Sequence, residues 1–581
     1  MKRLVTKGTV ATALLMLGTF ACKEGFLDKQ PTGVLRSDNS SLYSKSGIQG
    51  LLISTYAQLN ARGFSQSASS YNWVRGSISG GEANKGSNSG DFNALTPFET
   101  YQLLPSSGEV NAKWQAMYEG VSRANAVLRA LKTPGPDVQD ADKASIGAEA
   151  RFLRAHYYFE LKRSFNMVPF VDETVDYGTG IDKVKNDVDI WPKIEADFQY
   201  AQDNLPATQT AAGRANKWAA VAYLAKTYMY QQKFAQAKAL FDQIIANGTT
   251  ASGTKYALVA KYADIFNAAT DTNSETVFAS QAAANTGSAN NANPDLVLNF
   301  PYNTGSNGPA GCCGFFPPSF ELANSFRTNA NGLPLLDGSY NTGSNQLKND
   351  QGIASKDPFT PDTGPVDPRL DWSVGRRGIP YLDWQDHPGQ DWIRDQSFAG
   401  PYSPKKFVFY KSQDKTLTDG SSWTDGYSAI NYNIIRYADV LLMAAEAEIE
   451  VGSLETARNY INQVRTRAAN PAGFVTRANG TPAANYAINT YTTPFAGKDD
   501  ARTAVRFERK LELSGEGHRF YDLVRWGVAA PVLNAFIAYE GPKLSTAYSG
   551  AKFTAGRDEY MPIPQTQIDY QPGILAQNKG Y

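Results

Sequence analysis

Histidine and cysteine are scarce in this sequence. Each occurs three times among 581 residues, and neither forms a group with the spacing of metal ligands. Three cysteines are also too few for a network of disulfide bonds. We therefore expect no metal site and no cofactor.

The sequence also lacks a net charge and long apolar stretches. Lysine and arginine together number 56, as do aspartate and glutamate, so no overall positive field would attract nucleic acid or an anionic membrane. Beyond the N-terminal segment, no stretch contains the roughly 20 consecutive apolar residues that a membrane-spanning helix requires. These absences argue against a nucleic-acid partner and against an integral membrane protein.

Residues 1–21 have the pattern of an export signal. Basic residues near the start precede a short apolar run that ends at Ala21. Cys22 then offers the thiol of a bacterial lipoprotein junction, because only a thiol can become the thioether that carries diacylglycerol. Thr19, the third residue before Cys22, departs from the leucine that is usual there. The alternative is an ordinary signal peptide followed by an incidental cysteine. We predict lipidation at Cys22 and a lipid-anchored tether over residues 22–46.

Residues 216–248 contain two apolar stripes with helical spacing. Their members recur at steps of three and four residues, as one face of a helix requires. The first stripe contains Trp218, Val221, Ala222, Ala225 and Tyr228, and the second contains Phe234, Ala237, Phe241 and Ile244. Two antiparallel helices of this kind are typical of the tetratricopeptide repeat, which has about 34 residues. Because such a pair buries only one face, it predicts neighbouring pairs.

Similar stripes return in residues 435–468 after a long interruption. In between, Gly, Pro, Asn and Asp separate short apolar and aromatic runs, which predicts loops. We therefore predict a mainly α fold in which tetratricopeptide-like helix pairs form a solenoid scaffold. Residues 47–278 and 431–581 supply its helical parts, and residues 279–430 form a loop-rich insertion that carries short strands and faces the ligand.

Tryptophans and acidic side chains on the predicted loops are the candidate ligand contacts. Sugars present apolar C–H faces that stack on aromatic rings, and carboxylates accept hydrogen bonds from sugar hydroxyl groups. Loops on a rigid scaffold commonly carry binding residues. The predicted ligand-binding residues are Trp73, Trp384, Trp392, Trp423, Glu82 and Asp91. The alternative, for about half of the tryptophans, is that the ring anchors its loop to the scaffold.

The sequence does not predict a catalytic group. Glu508 and Glu512 lie one helical turn apart, but each has a basic residue within one turn, which favours ionised carboxylates. His156 has no nearby Ser or Cys nucleophile, so we predict a structural histidine at a helix contact. The adjacent Cys312 and Cys313 are compatible with a vicinal disulfide or with two thiols.

Several short motifs resemble those of the SusD/RagB family. The most extensive lie near the C-terminus, at residues 506–513 (RFERKLEL), 516–527 (EGHRFYDLVRWG) and 560–564 (YMPIP). Residues 26–28 (FLD) resemble the start of the family just after its lipidated cysteine. These motifs occur in the right order and cover essentially the whole mature chain, so the protein is similar to members of this family along its length.

The resemblance implies a lipoprotein on the outer face of the outer membrane of a Gram-negative cell. It also implies four tetratricopeptide-like helix pairs and, as partner, a TonB-dependent barrel transporter of the SusC type. The family binds glycans, has peptide-binding branches and is not known for catalysis. Its ligand contacts follow no short motif, so the six residues named above rest on composition and loop position.

Two other functions are compatible with these features. A repeat scaffold of this kind could serve mainly for protein–protein contact. A secreted glycoside hydrolase would need two carboxylates beside the scissile bond, and no acidic pair in the aromatic loops has that pattern. Capture of oligosaccharides for uptake is the main expectation, and capture of peptides is the first alternative.

Overall fold

The computed structural model describes residues 40–309, 311–421, 424 and 426–581. Cys22, the predicted signal peptide and Trp423 lie outside these residues. The α-helices are α1 (Lys45–Tyr56), α2 (Thr96–Thr100), α3 (Gly108–Ala130), α4 (Asp140–Phe165), α5 (Trp191–Asn204), α6 (Lys217–Tyr230), α7 (Phe234–Asn247), α8 (Phe320–Ser325), α9 (Leu370–Ser373), α10 (Gln396–Ala399), α11 (Tyr437–Val451), α12 (Leu454–Ala468), α13 (Lys498–Glu512), α14 (Arg519–Arg525), α15 (Ala529–Glu540) and α16 (Gln565–Tyr570). The strands are β1 (Thr276–Ser280), β2 (Val374–Gly375), β3 (Pro380–Tyr381), β4 (Gln385–Asp386), β5 (Ser403–Pro404) and β6 (Tyr432–Arg436). In these parts of the chain, no helix has both the length and the apolar character needed to cross a membrane.

Helices α6 and α7 form the predicted repeat. Helix α6 begins after Asn216, whose side chain accepts a hydrogen bond from the Ala219 amide at 2.9 Å and so caps the helix. Ala225, Ala237 and Phe241 are fully buried, and small residues among large ones allow the two helices to pack closely. The helix pair is therefore confirmed.

The two helical parts of the chain contact each other directly. Each of α3, α4, α5 and α6 packs against the next helix in the chain. Helix α7 then packs against α11, which in turn packs against α12 and α13. Helix pairs that the insertion separates in sequence therefore stack as one scaffold, which confirms the predicted mainly α, repeat-based fold.

The insertion leaves and rejoins this scaffold at one pair of strands. Strands β1 and β6 pair antiparallel, with Ser280 opposite Tyr432. Between them the described residues form the short helices α8 to α10 and two further antiparallel pairs, β2 with β5 and β3 with β4. This confirms a loop-rich insertion with short strands, whereas the exact residue limits of each part of the chain stay predictions.

Residues 63–93 contain the predicted ligand contacts Trp73, Glu82 and Asp91, but most of this segment does not form an exposed loop. All of residues 67–87 are buried, and Trp73–Ile78 form a short π-helix. A Cβ atom at Gly76 would lie 2.0 Å from the carbonyl oxygen of Gly517, so the backbone of this segment touches the turn between α13 and α14. The segment is therefore part of the interior, and the chain returns to the surface after residue 87.

Candidate ligand-binding surface

Backbone hydrogen bonds hold the end of this buried segment against the insertion. They join residues 84–87 to residues 314–317, and residues 314–317 to residues 298–300. The Ser87 amide, for example, donates to the Gly314 carbonyl oxygen at 2.6 Å. Residues that follow position 87 are therefore placed beside the loops of the insertion.

One group of side chains at this junction combines opposite charges with an aromatic ring. Arg394 Nη1 lies 2.5 Å from Asp91 Oδ2, and the two side chains are 33% and 36% exposed. The Arg394 guanidinium carbon lies 5.2 Å from the centre of the half-buried Tyr302 ring. The buried Ser87 hydroxyl donates to the same Asp91 oxygen at 2.9 Å. We call Asp91, Tyr302 and Arg394 the Asp91 cluster.

Buried contacts beneath the Asp91 cluster fix the shape of its loop. The Lys85 ammonium donates to the carbonyl oxygens of Asn88 and Asp91, at 2.8 and 2.6 Å. The Phe92 ring meets the Phe315 ring edge to face, with centres 6.3 Å apart. The carboxylate of Asp91 is therefore held in place before any ligand arrives.

The two adjacent cysteines lie in the same part of the insertion. Cys312 and Cys313 form a vicinal disulfide, with Cys313 buried and Cys312 partly exposed. Next to it, the Asn303 amide donates to the Gly311 carbonyl oxygen at 3.2 Å. The structure thus contains the disulfide form of the two alternatives that the sequence left open, and the backbone hydrogen bond closes the loop that follows Tyr302.

Trp384 offers a second, partly exposed ring. Its indole N–H donates to the Phe409 carbonyl oxygen at 3.1 Å, and its ring centre lies 5.8 Å from the centre of the Phe409 ring. The Lys411 ammonium lies 5.8 Å from the Trp384 ring centre. The ring is anchored along one edge and half-buried, so part of its surface stays available.

Two of the predicted tryptophans are core residues. Trp73 is fully buried, its indole N–H donates to the Gln66 carbonyl oxygen at 3.0 Å, and its ring centre lies 5.7 Å from that of Phe316. Trp392 is only 3% exposed and meets the Tyr381 ring edge to face. The expectation that these rings face a ligand is wrong, because both anchor loops to the interior. Trp423 lies outside the described residues, and its role stays a prediction.

The predicted Glu82 contact is also wrong for a structural reason. Glu82 is 2% exposed and accepts a hydrogen bond from the Gly515 amide at 3.1 Å. Burial raises the pKa of its carboxyl to about 7. Glu82 therefore links the buried segment to the turn after α13, instead of facing solvent.

The sequence predicts structural roles for Glu508, Glu512 and His156. All three side chains are buried, and each has a partner. Arg369 Nη1 lies 2.7 Å from Glu508 Oε1 and 2.9 Å from Glu512 Oε2. His156 lies between the Ser70 hydroxyl, at 2.9 Å, and the Tyr223 hydroxyl, at 2.5 Å, and burial lowers its pKa to about 3. These contacts confirm structural roles, although the partners of the glutamates come from distant parts of the chain. Within the described residues, no group of three or more His, Cys, Asp and Glu could hold a metal ion.

Asp91 and Trp384 are candidates that the sequence predicts and the structure leaves partly exposed, whereas Tyr302 and Arg394 become candidates only from the structure. Arg394 follows the tryptophan-rich stretch, and Tyr302 opens a loop rich in Gly and Asn, so both have the loop context that favours binding residues. Their contact with Asp91 depends on backbone pairing between distant segments, which no local pattern indicates.

Comparisons with known proteins agree with this fold. A family model described as "SusD family" matches residues 274–581, and a model described as "Starch-binding associating with outer membrane" matches residues 25–229. Among curated relatives, SusD-like protein P25 of Formosa agariphila is 25% identical, over 98% of this chain and 99% of that protein.

Solved structures share the architecture at low identity. A SusD superfamily protein from Bacteroides vulgatus has a TM-score of 0.67 at 20% identity, over 92% of this chain and 99% of that chain. Surface glycan-binding protein A from Bacteroides thetaiotaomicron, solved in complex with laminarihexaose, has a TM-score of 0.64 at 21% identity, with the same coverage. The first family model alone spans more than half of the sequence. The chain belongs to the SusD family.

Proposed function

We propose that this protein is a lipid-anchored protein of the outer membrane that binds oligosaccharides outside the cell at the Asp91 cluster. The observation that carries the proposal is the partly exposed Asp91–Arg394 ion pair beside the Tyr302 ring. The carboxylate accepts and the guanidinium donates hydrogen bonds, while the ring offers an apolar face, which together match a sugar. Because contacts from Lys85 and Ser87 order this loop in advance, binding loses less conformational entropy.

The family and its relatives support a glycan as the ligand. A family model that matches this chain describes starch binding at the outer membrane, and a similar solved structure holds laminarihexaose. Trp384 supplies a second ring in the insertion, with Lys411 beside it. In this proposal Cys22 carries the lipid, and a SusC-type TonB-dependent transporter receives the ligand.

In this proposal, the protein binds its ligand without cleaving it. A general acid has to reach the glycosidic oxygen and needs a raised pKa to remain protonated near neutral pH. Burial raises the pKa of Glu99 to about 7 and that of Glu540 to about 8, and both side chains are at most 1% exposed. These two acids are out of reach of a polysaccharide. Burial also raises the pKa of Asp271 to about 7, and this side chain is partly exposed, so a product-release assay has to separate capture from hydrolysis.

Calorimetric titration of the mature chain against neutral and acidic oligosaccharides tests the proposal. We expect Arg394→Ala and Tyr302→Ala each to weaken binding at least tenfold. Arg477→Ala is the matched control. Like Arg394, Arg477 is partly exposed (39%) and lies near a carboxylate of the insertion, with its Nη1 atom 3.8 Å from Asp386 Oδ2, but it is not part of the Asp91 cluster. Unchanged affinity in both cluster variants would exclude the Asp91 cluster as the site.

Two further measurements separate this function from its alternatives. Tight binding of peptides with no glycan binding would assign the protein to peptide uptake, and release of products from a polysaccharide would make it a hydrolase. Co-purification with a barrel transporter from membranes tests the proposed partner, and mass spectrometry of the mature N-terminus tests lipidation at Cys22.

A further inference from the structure

A cleft of about 440 Å³ lies away from the insertion, between α3, α16 and the segment that follows α4. Its lining comes entirely from outside residues 279–430. The volume is within the range of about 300–1,000 Å³ that is usual for small-molecule sites. None of the described residues that line the cleft belongs to the Asp91 cluster. We call it the Tyr570 cleft.

The walls of the Tyr570 cleft expose large apolar surfaces. Tyr570 is 73% exposed and Ile181 is 37% exposed, and both line the cleft. Deeper in the cleft, the rings of Trp114 and Tyr118 have their centres 4.8 Å apart. The Tyr118 hydroxyl donates to the Pro169 carbonyl oxygen at 2.7 Å, which fixes this ring. An apolar surface held open in this way is typical of a binding site.

The polar lining of the cleft is made mainly of amides. Gln115, Gln567 and Gln571 contribute to it, and among the described residues the only charged lining residue is Glu119, which pairs with Arg123 at 2.8 Å. The Gln571 Oε1 atom is buried and has no hydrogen-bond partner within the described structure. A buried acceptor without a partner is unfavourable, so a rotation of the partly exposed Gln571 side chain that brings this oxygen to a hydrogen-bond donor on a ligand would be favourable.

We propose that the Tyr570 cleft is a second glycan-binding site that accepts a neutral pyranose unit. A pyranose has an apolar face to stack on the Tyr570 ring, and it has a hydroxyl group to donate to Gln571 Oε1 once this side chain turns into the cleft. An acidic sugar or a phosphate is disfavoured because the described part of the lining contains no cation. With two sites on one chain, a long polysaccharide would be bound more tightly than either site alone allows.

The test uses the mature chain and three neutral hexasaccharides: laminarihexaose, maltohexaose and cellohexaose. Arg394→Ala first weakens binding at the Asp91 cluster at least tenfold, and calorimetry then measures the binding that remains. In this background we expect Tyr570→Ala and Gln571→Leu each to weaken the remaining binding at least tenfold.

Val188→Ala is the control, since Val188 is 68% exposed and lies outside the cleft. Thermal melting confirms that each variant is folded, and Gln571→Leu, which keeps the size of the side chain, decides the outcome if Tyr570→Ala is unstable.

The outcomes distinguish this site from the proposed function. If Arg394→Ala leaves no binding to any of the three probes, or if both cleft variants bind as the control does, the second site is excluded and the Asp91 cluster is unaffected. If Tyr570→Ala abolishes binding in the native background and Arg394→Ala does not weaken it, the cleft is supported and the Asp91 cluster is excluded.

Discussion

Glu512 Oε1 lies 2.6 Å from Arg436 Nη1, and both side chains are at most 1% exposed. Arg436 is the last residue of β6, where the insertion rejoins the scaffold, and Glu512 is the last residue of α13. Arg436 also pairs with Glu275, just before β1, at 2.7 Å. This one guanidinium therefore joins both ends of the insertion to the C-terminal helices.

Replacing Glu512 by alanine should destabilise the protein severely. Arg369 and Arg467 also pair with this carboxylate, so the Glu512→Ala variant leaves three guanidinium groups short of a buried partner. Breaking a buried pair in this way costs about 3–5 kcal/mol. Urea unfolding at neutral pH measures the effect.

Glu455→Ala is the matched control for this variant. Glu455 pairs with Arg458 at 2.7 Å, but its side chain is 55% exposed. Solvent-exposed pairs contribute about 0–1 kcal/mol. Equal free energies of unfolding for the two variants would show that the buried network does not stabilise the fold.

Gly517→Ala should be far more damaging than Gly527→Ala. Both glycines have a positive φ, +74° and +71°, and this alone costs an alanine about 1–2 kcal/mol. A Cβ at Gly517 would also lie 2.0 Å from the Tyr71 carbonyl oxygen, whereas a Cβ at Gly527 would meet no atom of the described residues within 4 Å. We expect a loss of at least about 3 kcal/mol for Gly517→Ala, as for other severe steric changes. Similar melting temperatures for the two variants would contradict the close packing of the buried segment on this turn.

The sequence predicts the helices of this protein well because their signal is local. The stripes of α6 and α7 repeat at helical spacing, and a three-residue turn between them allows only an antiparallel pair. The direct packing of α7 on α11 also follows, since each pair leaves one apolar face to cover. These parts of the fold need no knowledge of distant contacts.

The candidate site is predicted less well because exposure depends on distant contacts. Trp73 and Glu82 lie in a polar, glycine-containing stretch that reads as a loop, yet the backbone of that stretch is covered by the turn that contains Gly517. Asp91 is only nine positions beyond Glu82 in sequence and is partly exposed. Composition alone does not indicate which of these two acids is exposed. The backbone contacts of the segment decide this.

Stability should become less dependent on pH when Glu82 is replaced by glutamine. Burial raises the pKa of Glu82 to about 7 in the folded protein, above its ordinary value of 4.5. The folded state therefore binds this proton more tightly than the unfolded state. The resulting stabilisation is complete below about pH 4.5 and is lost as the pH rises through about 7.

At pH 8 the Glu82→Gln variant should be more stable than the native protein by about 1–3 kcal/mol, and at pH 4.5 the two should be nearly equal. Urea unfolding at both pH values measures this difference. Glu455→Gln serves as an exposed control and should show no such change. A destabilised Glu82→Gln variant at pH 8 would mean that the ionised carboxylate is needed in the fold.

Trp73→Ala and Trp384→Ala should affect different properties of the protein. Trp73 is fully buried against Phe316, so its truncation leaves a cavity and should cost about 3–5 kcal/mol. Trp384 is half-buried with one anchored edge, so its truncation should cost less stability while weakening glycan binding severalfold. Urea unfolding and calorimetric titration on both variants separate the two effects. If Trp73→Ala retained native stability but lost binding, the ring would have to reach a ligand, and its placement in the core would be wrong.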